Sequence, residues 1–200
     1  MRELKLIEGR KAPIYFAEST DSTNTRLKEL ARQGAPHGAV AAALEQTGGK
    51  GRLGRRFTSP PGGLYLSILW RPDCSPEKAA RLSCAGALAA CAAIEEVWGI
   101  APDIKWPNDL LLKGKKISGI LTEAAPDAAG GLAWVIPGIG INVTPPPGGY
   151  PPEIASTAGA VFPDAAPEDA AAKLAVDTLD ALIGLYKAMP EQRFHAEYLS

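Results

Sequence analysis

The stretch Trp134-Val-Ile-Pro-Gly-Ile-Gly-Ile-Asn-Val143 carries an informative pattern of apolar residues and glycines. Its apolar and β-branched residues predict a strand in which alternation places Gly138, Gly140 and Asn142 on one face. Two glycines on the same face weaken a strand, so we expect another group to lie flat against the backbone there. That group is either a closely packed helix or a planar ligand whose edge the Asn142 side chain would bind. Gly119, on the neighbouring predicted strand, fits either interpretation.

Composition and charge describe an ordinary globular chain of 200 residues with 46% hydrophobic and 22% charged content. A chain of this length can bury one sizeable core, so we expect one domain. The formal net charge of -1 gives no general attraction to nucleic acid or anionic membranes, so phosphate contacts must come from local clusters of Lys and Arg. No long apolar stretch and no amino-terminal apolar segment occurs in the sequence, which predicts a cytoplasmic protein.

The three cysteines, Cys74, Cys84 and Cys91, are odd in number and lack the spacing of a zinc site. They lie in or beside an alanine-rich predicted helix. We therefore interpret them as buried free thiols of a reducing compartment.

Hydrophobic periodicity and turn residues predict an order of strands and helices along the chain. Strands are expected at residues 14–17, 39–44, 64–70, 104–106, 110–112, 116–122 and 134–143. Helices are expected from the capping residues 21–24 to about 34, from 75 to about 98, and from 167 to 187. A hairpin turn is predicted near Lys113-Gly114, and the proline-rich residues 144–166 are expected to form a surface loop.

The segment Gly48-Gly-Lys-Gly-Arg-Leu-Gly-Arg-Arg56 holds four cations, four glycines and no acid. Glycines let a backbone approach a ligand closely, and guanidinium groups match carboxylate and phosphate oxygens. A solvated basic loop without function is an equally good interpretation of this segment alone. The GK[ST] ending of a Walker loop is absent. Four repelling charges without an acid predict a loop that is mobile until a ligand orders it.

Three other polar segments each have a simple structural interpretation beside a functional one. Lys105-Trp-Pro-Asn-Asp109 places a lysine, an amide and a carboxylate after a strand, but Asn and Asp there also favour a turn. Lys116 is either a functional cation or one more exposed hairpin lysine. Ser22, Thr23 and Asn24 are typical helix caps, although their polar groups could equally face an uncharged polar ligand.

The order of these segments is much more specific than any one of them. In chain order they read Asp21-Ser-Thr-Asn, Glu45-Gln-Thr-Gly-Gly-Lys-Gly-Arg-Leu-Gly-Arg, Leu64-Tyr-Leu-Ser, Lys105-Trp-Pro-Asn-Asp, Lys116-Ile-Ser-Gly-Ile-Leu-Thr-Glu and Gly138-Ile-Gly-Ile-Asn. Residues 14–143 thereby resemble the biotin-protein ligase family in sequence and in order. The resemblance implies an α+β fold, in which a mixed β-sheet is flanked by helices, related to the class II aminoacyl-tRNA synthetases.

The resemblance also implies an activity. It is the ATP-dependent activation of biotin to biotinyl-5'-AMP and transfer of the biotin to a lysine of a biotin carboxyl carrier protein, of acetyl-CoA carboxylase or a related carboxylase. Mg²⁺ is expected on the ATP phosphates. Biotin contacts are implied for Ser22, Thr23, Asn24, Gln46, Lys50, Gly51, Arg52, Lys116 and Gly119. ATP or adenylate contacts are implied for Arg52, Arg55, Lys105, Asn108, Gly138, Gly140 and Asn142.

Catalytic roles follow from the charges in this reaction. A carboxylate must attack the α-phosphate, and two anions repel each other unless cations hold them in line. The resemblance assigns this task to Arg52, Lys105 and Lys116, while Asp109 either orients one of the lysines or helps to hold the metal. The family usually has Arg where this chain has Lys50, so the charge is kept there but the bidentate contact is lost.

The domain organisation and partners are also expectations from the resemblance. Residues 1–200 are expected to form one catalytic domain, without the amino-terminal DNA-binding domain or the small carboxy-terminal β-barrel of some family members. We expect no DNA or membrane partner. The sequence leaves open whether the protein forms a homodimer. Two other functions also stay open: a lipoate or octanoate ligase-transferase, and a non-catalytic module that binds biotin or an adenylate. Lys105-Trp-Pro-Asn-Asp109 together with the basic loop favours biotin.

Overall fold

The computed structural model describes residues 5–7, 12–72 and 81–188, the first of these ranges by its backbone alone. The strands of this part of the chain are β1 (Lys5–Ile7), β2 (Ile14–Ala17), β3 (Val40–Ala43), β4 (Gly63–Ile68), β5 (Asp103–Lys105), β6 (Asp109–Leu112), β7 (Lys115–Pro126) and β8 (Leu132–Asn142). The helices are α1 (Thr23–Arg32), α2 (Leu82–Trp98), α3 (Pro152–Ala155) and α4 (Ala170–Ala188). A 3₁₀ turn covers Arg52–Gly54.

The strands form one eight-stranded sheet in the order β1-β2-β3-β4-β8-β7-β6-β5. In the described part of the chain β2 and β3 pair in parallel, and the other neighbouring strands pair antiparallel. Val135 belongs to a core cluster with α2 and α4, whereas the next residue, Ile136, belongs to a cluster with α1. Helices therefore cover both faces of a mixed sheet, which confirms the predicted fold class.

The larger core lies between the sheet and the helices α2 and α4, and small side chains bring α2 close to the strands. Ala85, Ala89 and Ala93 are buried. A Cβ atom added at Gly86 would lie 3.0 Å from Ile120 Cγ2, so the helix backbone approaches the sheet as closely as a glycine permits. On the opposite face of the sheet, helix α1 packs against β3, β4 and β8.

Local signals place the helix ends where the sequence predicts them. Ser22 is the N-cap of α1, and its side chain accepts a hydrogen bond from the backbone nitrogen of Thr25. The helix α2 ends at Gly99, whose φ of 63° is left-handed and costs a glycine nothing. The predicted start of this helix near residue 75, together with Cys74, lies outside the described residues. Within α2 the thiol of Cys91 is free, as predicted, but Cys84 and Cys91 are partly buried rather than buried. This partial burial raises the pKa of Cys91.

The strand bounds differ from the prediction mainly in the hairpin of β7 and β8. Residues 123–126 have low β-propensity, yet β7 continues through them because β8 pairs with each of these residues. The predicted two-residue turn before β7 is confirmed, with Lys113 and Gly114 at φ values of 51° and 76°. The strand β1 was not predicted. The helix α3, which lies inside the proline-rich loop, was not predicted either. In the described ranges there is no helix with the length and hydropathy needed to span a bilayer.

Candidate active site

A cavity of about 280 Å³ lies between the amino end of α1, the basic loop and the glycine-bearing face of the sheet. Most of the predicted functional residues line this cavity. They are Ser22, Thr23, Asn24, Gln46, Lys50, Gly51, Arg52, Arg55, Asn108, Asp109, Lys116, Gly119, Gly138 and Gly140. The two exceptions are Lys105 and Asn142. Residues predicted for biotin and residues predicted for ATP therefore surround a single cavity.

One end of the cavity is lined by the uncharged polar side chains of Thr23, Asn24 and Gln46, which bond to one another or to the buried residues Ser59 and Ser67. Gln46 Oε1 accepts hydrogen bonds from the backbone nitrogen of Thr23 at 2.8 Å and from its hydroxyl at 3.1 Å, while Gln46 Nε2 donates to Ser59 Oγ at 3.0 Å. The Ser67 hydroxyl lies 2.6 Å from Asn24 Oδ1 and 2.8 Å from Thr23 Oγ1. These side chains are buried or nearly so, and we call this group the polar end. Its mutual bonds hold it in place without a ligand.

The capping residues of α1 divide into two roles. Ser22 caps the helix, whereas the side chains of Thr23 and Asn24 reach other elements of the fold. The sequence does not separate these roles because the same residue types serve both as caps and as contacts to polar ligands. Thr23 and Asn24 are thus the two members that take part in the polar end.

The other end of the cavity carries charges that are linked in a row. Arg52 Nη1 donates to Asn108 Oδ1 at 3.0 Å, and Asn108 Nδ2 donates to Asp109 Oδ1 at 3.0 Å. The same Asp109 oxygen lies 2.7 Å from Lys116 Nζ. We call Arg52, Asn108, Asp109 and Lys116 the cationic end. This ion pair supports the orienting role, one of the two roles predicted for Asp109, and the role itself stays a prediction.

A β-bulge aims Lys116 into the cavity. The register shifts between Leu110 and Leu111, so Leu110 pairs with Ser118 while Leu111 pairs with Lys116. Residue 117 is therefore an extra residue in β7. Strict alternation would send Lys116 and Gly119 to opposite faces, but the extra residue brings both to the face that bears Asp109.

The glycine face is the floor of the cavity, and the chain itself covers part of it. Tyr65, Gly140, Gly119 and Asp109 are register partners across four neighbouring strands. The Phe57 ring lies over this row, since a Cβ atom at Gly140 would lie 2.6 Å from Phe57 Cε1 and one at Gly119 would lie 2.8 Å from Cε2. Lys116 Nζ is 5.4 Å from the centroid of the same ring, within the range of a cation–π contact.

Two contacts of the floor show which groups lie against the glycine face. A Cβ atom at Gly138 would collide with the Asn24 amide of helix α1, and one at Gly140 would collide with Phe57. Close packing by a helix and by an aromatic ring thus accounts for the missing side chains. Because both glycines also line the cavity, a planar ligand on this floor stays a prediction.

The basic loop has more internal structure than its charges suggest. Gly51 donates its backbone N–H to Arg55 O at 2.7 Å, and Phe57 donates to Gly49 O at 3.0 Å. Backbone hydrogen bonds close the loop into a hairpin, so its four cations do not leave it without internal structure, and its mobility in the free protein stays a prediction. Its side chains remain exposed, and Leu53 at its tip is 89% exposed.

The structure corrects the predicted placement of Lys105 and Asn142. Lys105 lies at the end of the edge strand β5 as an exposed residue outside the cavity lining. Asn142 is buried, and its Nδ2 donates to Gly159 O at 2.8 Å and to Lys116 O at 3.4 Å. Asn142 thus connects residue 159 to β7 behind Lys116. The sequence could not reveal this, because residue 159 belongs to the irregular connector.

Phe57, Ser67 and Glu123 are among the residues of the site that were not predicted. Phe57 follows the basic loop without any periodic pattern. Ser67 is a fully buried polar residue between Leu66 and Ile68, and a serine inside an apolar strand was a signal that could have identified it. Glu123 bonds to Asn24 Nδ2 at 2.9 Å, and the resemblance included it in a motif without giving it a role.

Comparison with known proteins identifies the family. The family model described as biotin/lipoate A/B protein ligase matches residues 16–142. The bifunctional ligase/repressor BirA of Bacillus subtilis is 41% identical over 142 residues, which are 70% of this chain and 43% of that protein. The biotin–[acetyl-CoA-carboxylase] ligase of Paracoccus denitrificans is 40% identical over 150 residues, which are 74% of this chain and 58% of that protein. The chain spans about half the length of these relatives.

A solved structure supports the same assignment. The biotin protein ligase from Aquifex aeolicus, in complex with biotin and ATP, has a TM-score of 0.73 and 31% identity, covering 90% of this chain and 73% of that chain. This likeness confirms the expected relationship of the sheet to the class II synthetase fold. Because the family model covers more than half of the sequence, the chain belongs to the biotin/lipoate A/B protein ligase family.

Proposed function

We propose that the protein activates biotin with MgATP to biotinyl-5'-AMP and transfers the biotin to a lysine of a carrier protein. The observation that carries the proposal is the polarity of the cavity, with a buried uncharged polar end and a cationic end on one continuous floor. Biotin has the matching pattern, because a polar but neutral ureido ring is joined to an apolar chain that ends in a carboxylate. The relatives named above support the same substrate.

The polar end would bind the ureido ring. Gln46, Thr23 and Asn24 offer amide and hydroxyl groups that can donate to a carbonyl and accept from N–H groups. The members of the polar end are all uncharged, which suits a neutral ligand. Burial of these groups makes them selective, since a ligand without matching polar atoms would leave them unpaired.

The cationic end would carry out the first reaction. A biotin carboxylate oxygen attacks the α-phosphorus of ATP, the bond from that phosphorus to the bridging oxygen breaks, and pyrophosphate leaves with the electron pair. Lys116 and Arg52 would hold the two anions together and neutralise the charge that accumulates in the transition state. Asp109 keeps Lys116 in position through their ion pair.

Mg²⁺ would enter with the nucleotide as part of the substrate. Among the described residues there is no group of three or more His, Cys, Asp or Glu side chains that could hold a metal ion. Asp109 is the carboxylate that lines the cavity, and it is already paired with Lys116. This donor set fits a cation that is held mainly by phosphate oxygens.

The second reaction needs an amine from a partner. The lysine nitrogen of a biotin carboxyl carrier protein attacks the acyl carbon of the adenylate, the amine loses a proton, and AMP leaves. The hairpin of residues 49–57 at the mouth of the cavity would shield the mixed anhydride from water until this lysine arrives.

Substrate-dependent exchange of pyrophosphate into ATP tests the proposal. We expect exchange with biotin and little with lipoate or octanoate. Exchange with lipoate or octanoate in preference to biotin would instead establish the other branch of the family. Binding of biotin without any exchange would establish a non-catalytic binding module. In a second step, a biotin carboxyl carrier domain added with biotin and MgATP should become biotinylated, whereas a mutant of its target lysine should not.

A further inference from the structure

Glu123 lies next to the polar end but does not line the cavity. It is in β7 two residues beyond Leu121, and its side chain is 27% exposed. Its two oxygens have different partners, because Oε2 accepts from Asn24 Nδ2 at 2.9 Å and Oε1 pairs with Lys28 Nζ at 2.8 Å. No role has yet been given to this carboxylate, although it contacts a residue of the polar end directly.

The contacts of Asn24 determine which way its amide faces. Nδ2 donates both of its hydrogens, one to Glu123 Oε2 and one to Leu121 O at 3.2 Å. Oδ1 consequently faces the other way, where it accepts from Ser67 and lies against the backbone of Gly138 on the cavity floor. The reverse orientation would place Oδ1 against a carbonyl and a carboxylate, which repel it.

The charge of Glu123 reinforces this orientation. Burial raises the pKa of Glu123, but hydrogen bonds from Lys28 and Asn24 and the charges of Lys28 and Lys50 outweigh burial and bring its pKa below the ordinary value. The group is therefore an ionised acceptor at neutral pH, and hydrogen bonds to a charged acceptor are stronger than neutral ones. Lys28, on α1, balances the charge without contacting the cavity.

We propose that Glu123 is a positioning residue that holds the Asn24 carbonyl oxygen toward the cavity and so makes the polar end select a ligand with an N–H donor. The inference rests on the proposed function and extends it to the choice of substrate. The ureido ring of biotin carries N–H groups that suit an acceptor at this place. The dithiolane ring of lipoate and the chain of octanoate have no such donor, so Asn24 Oδ1 would keep its bond from Ser67 but gain none from the ligand.

Pyrophosphate exchange with the full chain tests the proposal through a pair of variants. Glu123→Ala removes the acceptor and should raise the KM for biotin about tenfold, with kcat and the KM for ATP unchanged, because one hydrogen bond near the ring is affected. Glu123→Gln keeps an oxygen that can accept from Asn24, so its KM should stay within about threefold of the wild-type value. Glu29→Ala is the control, because it removes a carboxylate of α1 that is ion-paired to Arg26 in the same helix. It should leave the KM for biotin unchanged.

A double-mutant cycle shows whether Glu123 acts through Asn24. In the Asn24→Ala background, Glu123→Ala should cause no further rise in the KM for biotin. An equal rise in both backgrounds, or an unchanged KM in Glu123→Ala, would overturn the positioning role and leave the proposed function intact. If the wild-type chain shows no biotin-dependent exchange, the proposed function fails and this inference fails with it. Calorimetric binding of biotin by the same variants should follow the KM values and confirm that each variant is folded.

Discussion

The two ends of the cavity are built in opposite ways. At the polar end Thr23, Asn24 and Ser67 are at most 4% exposed, and their side chains bond to one another between α1 and β4. At the cationic end the Lys116 side chain is 35% exposed, and Arg52 is an exposed residue of the basic loop. The difference supports the proposal that the polar end is held in place to select the ligand, whereas the more exposed cationic end adjusts as charge moves during the reaction.

Lys116→Ala breaks the cationic end and should have the largest effect. Removing a charge aimed at a transition state costs about 3 kcal/mol or more, so biotin-dependent pyrophosphate exchange should fall at least about 100-fold. The fold should survive, because Lys116 is partly exposed and its backbone bonds to residues 157 and 159 do not need the side chain. Lys115→Ala, at the exposed neighbour in the same strand, is the matched control. Near wild-type exchange in Lys116→Ala would remove this lysine from the mechanism.

Gly140→Val alters the floor that both ends share. A branched side chain there would meet Phe57 and Tyr65, so the Phe57 ring must move before a ligand can lie on the floor. Overpacking of this kind costs about 1–3 kcal/mol, which corresponds to a loss of roughly 5- to 150-fold in affinity. Calorimetry with a non-hydrolysable biotinyl-adenylate analogue measures it, while biotin alone should lose less.

The control for the floor is Gly184→Ala in α4, where an added Cβ atom meets no atom within 4 Å. It should leave the affinity for the analogue unchanged. An unchanged affinity in Gly140→Val would mean that the ligand lies elsewhere and that the glycines serve only to pack Phe57 and Asn24.

Trypsin cleavage tests whether the basic loop changes from an accessible form in the free protein to a protected form when ligand binds at the cationic end. Lys50, Arg52 and Arg55 are exposed in the hairpin, so cleavage after them should be rapid in the free protein. Biotin with MgATP should slow cleavage about tenfold, as expected for ligand at about ten times its dissociation constant. Lipoate with MgATP should give no protection. Equal cleavage under all conditions would show that the loop is a passive connector, and the role given to Arg52 would be withdrawn.

Glu123→Gln should have the smallest effect of these variants. It changes the free energy of unfolding through the contacts that Glu123 makes with Lys28 and Asn24 beside the polar end. Burial raises the pKa of Glu123, but the contacts with Lys28 and Asn24 lower it below 4.5, the ordinary value. Its stabilising contribution is therefore complete above pH 4.5 and is lost as the pH falls through the folded-state pKa. The wild-type free energy of unfolding should exceed that of the variant by about 1 kcal/mol at pH 7.

Urea unfolding at several pH values measures this difference. The gap should close in acid, when the wild-type carboxyl is protonated and resembles the neutral amide of the variant. Glu153→Gln, at an exposed position of α3, controls for general effects of charge. A gap that stays constant down to the acid transition would show that the Lys28 and Asn24 contacts do not depend on ionisation.

Much of the fold could be predicted from sequence because its signals are local. The capping residues before α1, the glycine after α2 and the Lys113-Gly114 turn each act within a few residues of themselves, and all three were confirmed. The order of the motifs identified the family because it reflects many residues at once. The extension of β7 through residue 126 was missed because its residues are weak strand formers on their own, and the partner strand β8 decides their conformation.

The site was predicted less completely, for a physical reason that particular residues illustrate. Sequence alternation could place Gly138 and Gly140 on one face, but it could not show that Phe57 and Asn24 cover them. Lys105 and Asn142 were expected in the cavity on the strength of their motifs, yet one is exposed at the sheet edge and the other supports the backbone behind Lys116. These outcomes depend on contacts between residues far apart in the chain.

The amino-acid sequence by itself determined the strand and helix order, the family and the glycine floor, since these follow from local propensity and spacing. Only the tertiary structure decided which side chains face the cavity. The bulge in β7 reverses the alternation that would turn Lys116 away, and Glu123 sets the orientation of the Asn24 amide. Both effects arise from pairing across strands and between helix and sheet, where one extra residue or one carboxylate changes the direction of a side chain without changing the pattern of the sequence.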